Sequence, residues 1–145
     1  MAGYLDQYGT ADARREKVFK YLIVSTIATA IVGGTLFFFL KNYRQEGRVS
    51  TFVNLLGQKQ YREAYALWGC TEATPCPEYQ FEKFMEDWGP DSPNADVSSA
   101  NVSRSRSCGE GVIVSLRVVS DREEKLWVDR ESLAIGFSPW PGCPH

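Results

Sequence analysis

The chain has 145 residues, a net charge of -2 and four cysteines, and 43% of its residues are hydrophobic. From residue 45 onward, fifteen acidic residues stand against ten basic ones, without a basic stripe along the sequence. A net acidic region is a poor binder of phosphate backbones, so nucleic acid is not expected as a partner. The length leaves room for one folded domain of ordinary size.

Residues 21–40 (YLIVSTIATAIVGGTLFFFL) contain no charged side chain. A helix of this length, at about 1.5 Å per residue, spans roughly 30 Å, the hydrocarbon thickness of a bilayer. The alternative is a buried core helix of a soluble protein, but such helices rarely run this long without a charge. We therefore predict a head at 1–20 and a transmembrane helix at 21–41, in contact with the lipid bilayer.

Orientation rests on charges and cysteines. Four bases precede the apolar segment, and Lys41, Arg44 and Arg48 follow it, so the charge bias is weak. All four cysteines follow the segment, which favours a cytoplasmic head and a domain in an oxidising periplasm or outside the cell. A cleaved signal peptide is the alternative, but its apolar core is normally shorter and ends in a small-x-small site. We predict an uncleaved signal anchor, single-pass, in the inner (cytoplasmic) membrane.

Small residues recur in the apolar segment at four-residue spacing. Such stripes let two helices approach closely, and Ser and Thr can form hydrogen bonds across the contact. The alternative is that these residues face lipid. We predict that this stripe docks on transmembrane helices of other subunits. The predicted docking face consists of Ser25, Thr26, Thr29, Ala30, Gly33 and Gly34.

The cysteines are Cys70, Cys76, Cys108 and Cys143, for which three pairings are possible. We favour Cys70 with Cys76, which closes a short loop, and Cys108 with Cys143, which pins the C-terminal end to a strand. Metal binding is the alternative, but zinc sites usually contain C-x-x-C pairs or added histidines. We therefore predict two disulfides and no metal site.

We expect a juxtamembrane linker at 42–50 and a folded domain at 51–145. Apolar residues at helical spacing predict helices at 48–57 and 61–68, and a third that opens at Pro77 and continues to residue 88. Alternating and β-branched residues after position 95 predict three or four antiparallel strands, with a hairpin turn at 121–124. The predicted fold class is α+β: one transmembrane helix, then about three helices packed on a curved antiparallel sheet.

The run FVNLLGQKQYREAYALW at 52–68, followed by FEKF at 81–84, resembles membrane-anchored bacterial domains of the nuclear transport factor 2-like (cystatin-like) superfamily. The resemblance covers residues 51–88 and extends to the strands by pattern alone. It implies a curved sheet around a cone-shaped pocket. Some members are enzymes with acid/base side chains in the pocket, but no such set carries over to this sequence. The two predicted disulfides and the Pro-rich end depart from the family pattern.

Catalytic motifs such as G-x-S-x-G and H-E-x-x-H are absent from the sequence. The single histidine, His145, has little to orient it as a general base. Glu82, Glu86 and Asp87 share the third predicted helix and could reach a pocket, but a solvated helix face explains them more simply. We expect neither enzymatic activity nor a cofactor.

Two functions remain. The first is an accessory or structural subunit of a larger membrane complex, docked through its helix and capping with its outer domain; a bacterial respiratory or photosynthetic electron-transfer complex is the example we consider. The second is a membrane-anchored module that binds or senses a small molecule of unknown identity. Its candidate pocket lining is Tyr65, Trp68, Trp88 and Trp127. We expect the first.

Overall fold

The computed structural model describes residues 6–119 and 122–143. The chain is α+β, with a long N-terminal helix and a four-stranded antiparallel sheet, so the predicted fold class is confirmed at this level. It divides into two units, Met1–Lys41 and Asn42–His145. The hairpin turn predicted at 121–124 is wrong for residues 122–124, which belong to a strand that begins at Arg122. Asp121 and His145 lie outside the described residues.

The first unit is one helix, α1 (Asp6–Leu40). The described part of the predicted head, from residue 6 to 20, is continuous with the apolar segment instead of forming a separate element. Good helix formers and the Glu16–Lys20 ion pair at 2.7 Å, one helical turn apart, support this continuity. By its length and composition, α1 fits a single-pass membrane protein. Its side chains from residue 14 to 40 are exposed.

The second unit opens with helix α2 (Tyr43–Gly57), so the prediction of a linker at 42–50 is wrong. Gln45 is buried one turn before Val49, so the buried face of α2 begins at a polar residue, three positions before the helix predicted at 48–57. Asn42, directly before the helix, accepts a hydrogen bond from Ser107 at 2.8 Å. These contacts make residues 42–50 part of the folded domain.

Two shorter helices follow, α3 (Tyr61–Ala66) and α4 (Phe81–Trp88). The third predicted helix was expected to open at Pro77, but α4 begins four residues later. Residues 77–80 are drawn into a non-helical turn, because Tyr79 forms an isolated β-bridge with Cys76 and its carbonyl accepts the Tyr65 hydroxyl at 2.6 Å. These contacts delay the start of the helix.

The sheet has strand order β1 (Asn101–Cys108), β2 (Gly111–Val119), β3 (Arg122–Asp129) and β4 (Ile135–Phe137), each antiparallel to its neighbour. Val112, Val114, Leu116, Leu126 and Val128 are fully buried on one face of the sheet and belong to the same hydrophobic core as the helices. Strand residues alternate between the two faces, so the intervening side chains lie on the opposite face. We call that opposite side the open face.

Phe52, on α2, lies at the centre of the core and is fully buried. Its ring contacts those of Trp68, Phe84 and Trp88 edge-on, with centroid separations of 6.1, 6.2 and 5.0 Å. Edge-to-face aromatic pairs of this kind stabilise a fold by more than the burial of their apolar area alone. These four rings, which we call the Phe52 cluster, therefore join α2, α4 and the segment after α3 into one packed body.

The cysteines pair as Cys70–Cys76 and Cys108–Cys143, which matches the predicted pairing. The first bridge spans a sequence separation of 6 and closes the loop after α3. The second spans 35 residues and ties the C-terminal segment to the end of β1. The Pro-rich end lies along the sheet, where the carbonyl of Pro141 accepts a hydrogen bond from Lys125 at 2.7 Å.

Replacing Phe52 by alanine is expected to lower the free energy of unfolding of the second unit by about 3–5 kcal/mol, because truncating a fully buried ring removes its apolar contacts and leaves a cavity. Tyr43→Ala on the same helix is the control. Its side chain is 66% exposed, so the expected change is within about 0.5 kcal/mol. Tryptophan fluorescence during urea unfolding measures both, since all four tryptophans lie in this unit. Equal losses would contradict the central position of Phe52.

The two disulfides are expected to differ in their contribution to stability. Removing Cys108–Cys143 as a Cys→Ala pair should lower the free energy of unfolding by about 4 kcal/mol, and removing Cys70–Cys76 by about 2 kcal/mol, because the longer loop gains more chain entropy on unfolding. The same urea titration checks this order. A larger loss for the Cys70–Cys76 pair would show that local packing, not loop closure, dominates.

Candidate functional site

Of the four residues predicted to line one pocket, Tyr65 borders a depression of about 370 Å³ formed by α3 and the loop after it. Tyr65, Trp68 and Trp88 are buried and belong to the Phe52 cluster or contact it directly. Trp127 lies on the open face, because its strand neighbours Leu126 and Val128 occupy the core side. The predicted cone lining is therefore wrong for Trp127, and the other three rings fill the interior against one another.

The acidic residues of α4 have structural partners. Asp87 accepts a hydrogen bond from the Tyr79 hydroxyl at 2.9 Å, and Glu86 pairs with Lys83 at 2.9 Å. Burial, and then the Asp87 carboxylate, raises the pKa of Tyr79 above its ordinary value. Glu82 is exposed. This arrangement holds the residues before α4 against the helix and gathers no acid/base pair.

The predicted docking face lies along α1, from Ser25 to Gly34. A side chain at Gly33 or Gly34 would meet open space. The Thr26 hydroxyl donates to the Leu22 carbonyl of the same helix at 2.8 Å, so its hydrogen-bonding group is already satisfied. Within the stripe, the Thr26 hydroxyl therefore has its donor occupied by its own helix.

The open face of the sheet carries a different pattern. Cross-strand partners lie about 5 Å apart, and alternate residues of one strand about 7 Å apart, so the register fixes which side chains are neighbours. In two of the three rows, arginine on β1 and lysine or tryptophan on β3 flank a small or apolar residue on β2, and in the third row Arg117 itself lies on β2 beside Glu123 of β3. The rows across the sheet are Arg104–Ser115–Lys125, Arg106–Ile113–Trp127 and Arg117–Glu123.

These rows form a depression that we call the basic cleft, with a volume of about 310 Å³. Ser115 and Ile113 form its floor, and both are buried although they face away from the core. Long basic side chains rise around them, and Pro141 and Gly142 of the C-terminal segment form one wall. The surface is concave because the floor side chains are shorter than the basic side chains around them. The basic side chains are those of Arg104, Arg106, Arg117 and Lys125.

The charge of the basic cleft is poorly compensated. Among residues 6–119 and 122–143, no carboxylate oxygen lies within 4.0 Å of the nitrogen atoms of these four cations. Glu123 is the one acid in the lining. Hydrogen bonds from Ser115 and Ser103 lower the pKa of the Glu123 carboxyl, with the Ser103 hydroxyl at 3.0 Å, so this acid stays charged at neutral pH. Four positive charges against one negative charge favour an anionic ligand.

A second depression on the same face, of about 430 Å³, has Trp127 and Trp140 in its lining beside the Cys108–Cys143 bridge. The two indole rings meet edge-on with centroids 5.6 Å apart. The Trp127 ring lies directly over Gly111, where a Cβ atom would overlap it. Glycine at this position therefore sets where the ring can lie.

The sequence reasoning missed the basic cleft. Arg104 and Arg106 alternate with serines in β1, a signal that two bases share one face of a strand. Arg117 and Lys125 belong to other strands, and only the strand register places them beside the first pair. The expectation that this region has no basic stripe is therefore wrong in three dimensions.

Within the described ranges, no group of three or more His, Cys, Asp or Glu side chains could hold a metal ion. Compared with protein-family models, curated proteins and solved structures, the chain matches none.

Gly111→Ala is expected to displace the Trp127 ring and lower the free energy of unfolding by about 1–3 kcal/mol, because the added methyl overpacks the site. Gly136→Ala is the matched control, since Gly136 pairs with Trp127 in the sheet and a Cβ there meets open space. Near-ultraviolet circular dichroism and urea unfolding report the two effects. An unchanged aromatic signal in Gly111→Ala would contradict this packing.

Proposed function

We propose that this chain is a single-span accessory subunit of a larger membrane protein complex, such as a bacterial respiratory or photosynthetic electron-transfer complex. In this proposal α1 crosses the inner membrane and contacts helices of other subunits. The second unit caps or recruits a partner in the periplasm or outside the cell. The chain itself carries out no reaction.

The filled interior of the second unit is the observation that carries the proposal. A module that encloses a small molecule needs a concave site that buries most of its ligand. The rings of Trp68, Phe84 and Trp88 instead close around Phe52. This packing favours function through surfaces over function through an interior pocket, which was the alternative prediction.

Two further features support the membrane part of the proposal. The large apolar side chains of α1 are exposed, with Phe37, Phe38 and Phe39 each 73% exposed, which suits a lipid environment and not water. Gly33 and Gly34 leave room for a neighbouring helix to approach. Both disulfides lie beyond α1, which supports a cytoplasmic N-terminus and an oxidising compartment for the second unit.

The order of three helices before an antiparallel sheet is compatible with a nuclear transport factor 2-like domain, and we retain that relationship as a proposal. Under this proposal, the side chains of Phe52, Trp68, Phe84 and Trp88 occupy the interior of the domain. The domain would then serve as a rigid support for its outer surfaces.

Replacing Gly33 and Gly34 by leucine tests the docking of α1. We expect the fraction of the chain that migrates with a large assembly, after gentle detergent extraction and native-gel separation, to fall by roughly tenfold, because two bulky side chains hold the helices apart. Mass spectrometry of the band identifies the co-migrating proteins.

The matched control places leucine at Ala28 and Thr35, which lie on the opposite side of α1 at 3.6 residues per turn. This variant should migrate as the unmodified chain does. If the unmodified chain runs alone at the size of one 16.3 kDa protein and its micelle, the accessory-subunit proposal is wrong.

A further inference from the structure

We propose that the basic cleft binds an extended acidic segment of a partner protein, with Asp or Glu side chains at alternate positions. The proposal names the chemistry that the second unit would recognise. It rests on the proposed function in one respect, that the partner is another protein.

The distribution of charge is the first argument. Four of the ten bases found after residue 45 lie around the basic cleft, in a region that is otherwise strongly acidic. Bringing like charges together is unfavourable unless opposite charges accompany them. In the described part of the chain the cluster has only Glu123 beside it, and that carboxylate receives hydrogen bonds from serine. An acidic ligand would supply the negative charge that the four basic side chains lack.

The spacing of the bases is the second argument. Arg104 and Arg106 are alternate residues of β1, so their Cα atoms lie about 7 Å apart on one face. An extended peptide also presents its alternate side chains about 7 Å apart on one side. Two carboxylates at such positions can therefore meet both guanidinium groups at once. Guanidinium groups bind carboxylates through two parallel hydrogen bonds, which adds geometric selectivity.

The shape of the basic cleft favours a peptide over a lipid surface. The C-terminal segment rises along one side through Pro141 and Gly142, and the Cys108–Cys143 bridge anchors this segment to β1. A narrow chain can enter between this wall and the arginines. A broad bilayer surface would touch mainly the rim and leave the Ser115 and Ile113 floor unused.

The test uses the full-length chain in a non-ionic detergent and a fluorescein-labelled oligo-glutamate peptide, with binding followed by fluorescence anisotropy. Oligo-glutamine of the same length is the peptide control. The cleft variant carries Arg104→Gln, Arg106→Gln and Arg117→Gln. The matched variant carries Lys59→Gln, Arg62→Gln and Lys83→Gln, three exposed bases on the helical side with the same change in net charge.

We expect the cleft variant to bind oligo-glutamate roughly tenfold more weakly, since each of three exposed ion pairs contributes a few-fold. The matched variant should bind as the unmodified chain does. A third variant, with Arg104→Lys, Arg106→Lys and Arg117→Lys, should give an intermediate affinity. Lysine keeps the positive charge but lacks the planar guanidinium group that forms two parallel hydrogen bonds with a carboxylate. Binding should weaken at high salt, where screening is stronger.

Equal weakening in the cleft and matched variants would overturn the proposal, because net charge alone would then explain binding. Absence of oligo-glutamate binding to the unmodified chain would overturn it too. So would binding to phosphatidylglycerol vesicles that depends on the three arginines without any peptide binding, which would assign the cleft to lipid.

This experiment is independent of α1. If the chain runs alone on a native gel and still binds the peptide through the cleft, the accessory-subunit proposal fails and the cleft assignment stands. If the chain runs in an assembly and the peptide does not bind, the cleft assignment fails and the accessory-subunit proposal stands.

Discussion

The packing of aromatic rings around Phe52 is the interaction on which the second unit depends. Trp68 follows α3, whereas Phe84 and Trp88 both lie on α4, and each of the three rings contacts the same central ring. A fold with α3 and α4 of only 6 and 8 residues cannot rely on helix propensity, because isolated helices this short are marginal in water. The buried rings hold these helices in place. The same rings occupy the volume that a ligand pocket would need.

The filled interior gives special weight to the two faces of the sheet. On the core side, valine and leucine from β2 and β3 are fully buried. On the open face, the same strands present arginine, lysine and serine around a depression. The strands β1, β2 and β3 are eight or nine residues long. Because alternate side chains point to opposite faces, each strand contributes both to the core and to the open face. The Cys108–Cys143 bridge adds a wall to that surface without disturbing the core.

The sequence pattern was sufficient for the presence of an antiparallel sheet and a long apolar helix, because both have a strong local signature. It failed where distant residues decide the outcome. Residues 42–50 were predicted to be a linker, since their polar residues do not reveal that Asn42 bonds to β1. The helix expected at Pro77 starts later, because contacts with Tyr79 from elsewhere in the chain hold the intervening turn. The basic cleft depends on the register of three strands, which no local pattern encodes.

We propose that this protein works through its surfaces, by contact with other proteins. Hydrogen–deuterium exchange, measured on the chain in its native extracted assembly and on the purified chain alone, tests it most directly. The account predicts slower exchange in the assembly along α1 and in β1, while the segments around Phe52 exchange equally slowly in both samples. Identical exchange throughout, or a change confined to the segments around Phe52, would contradict it.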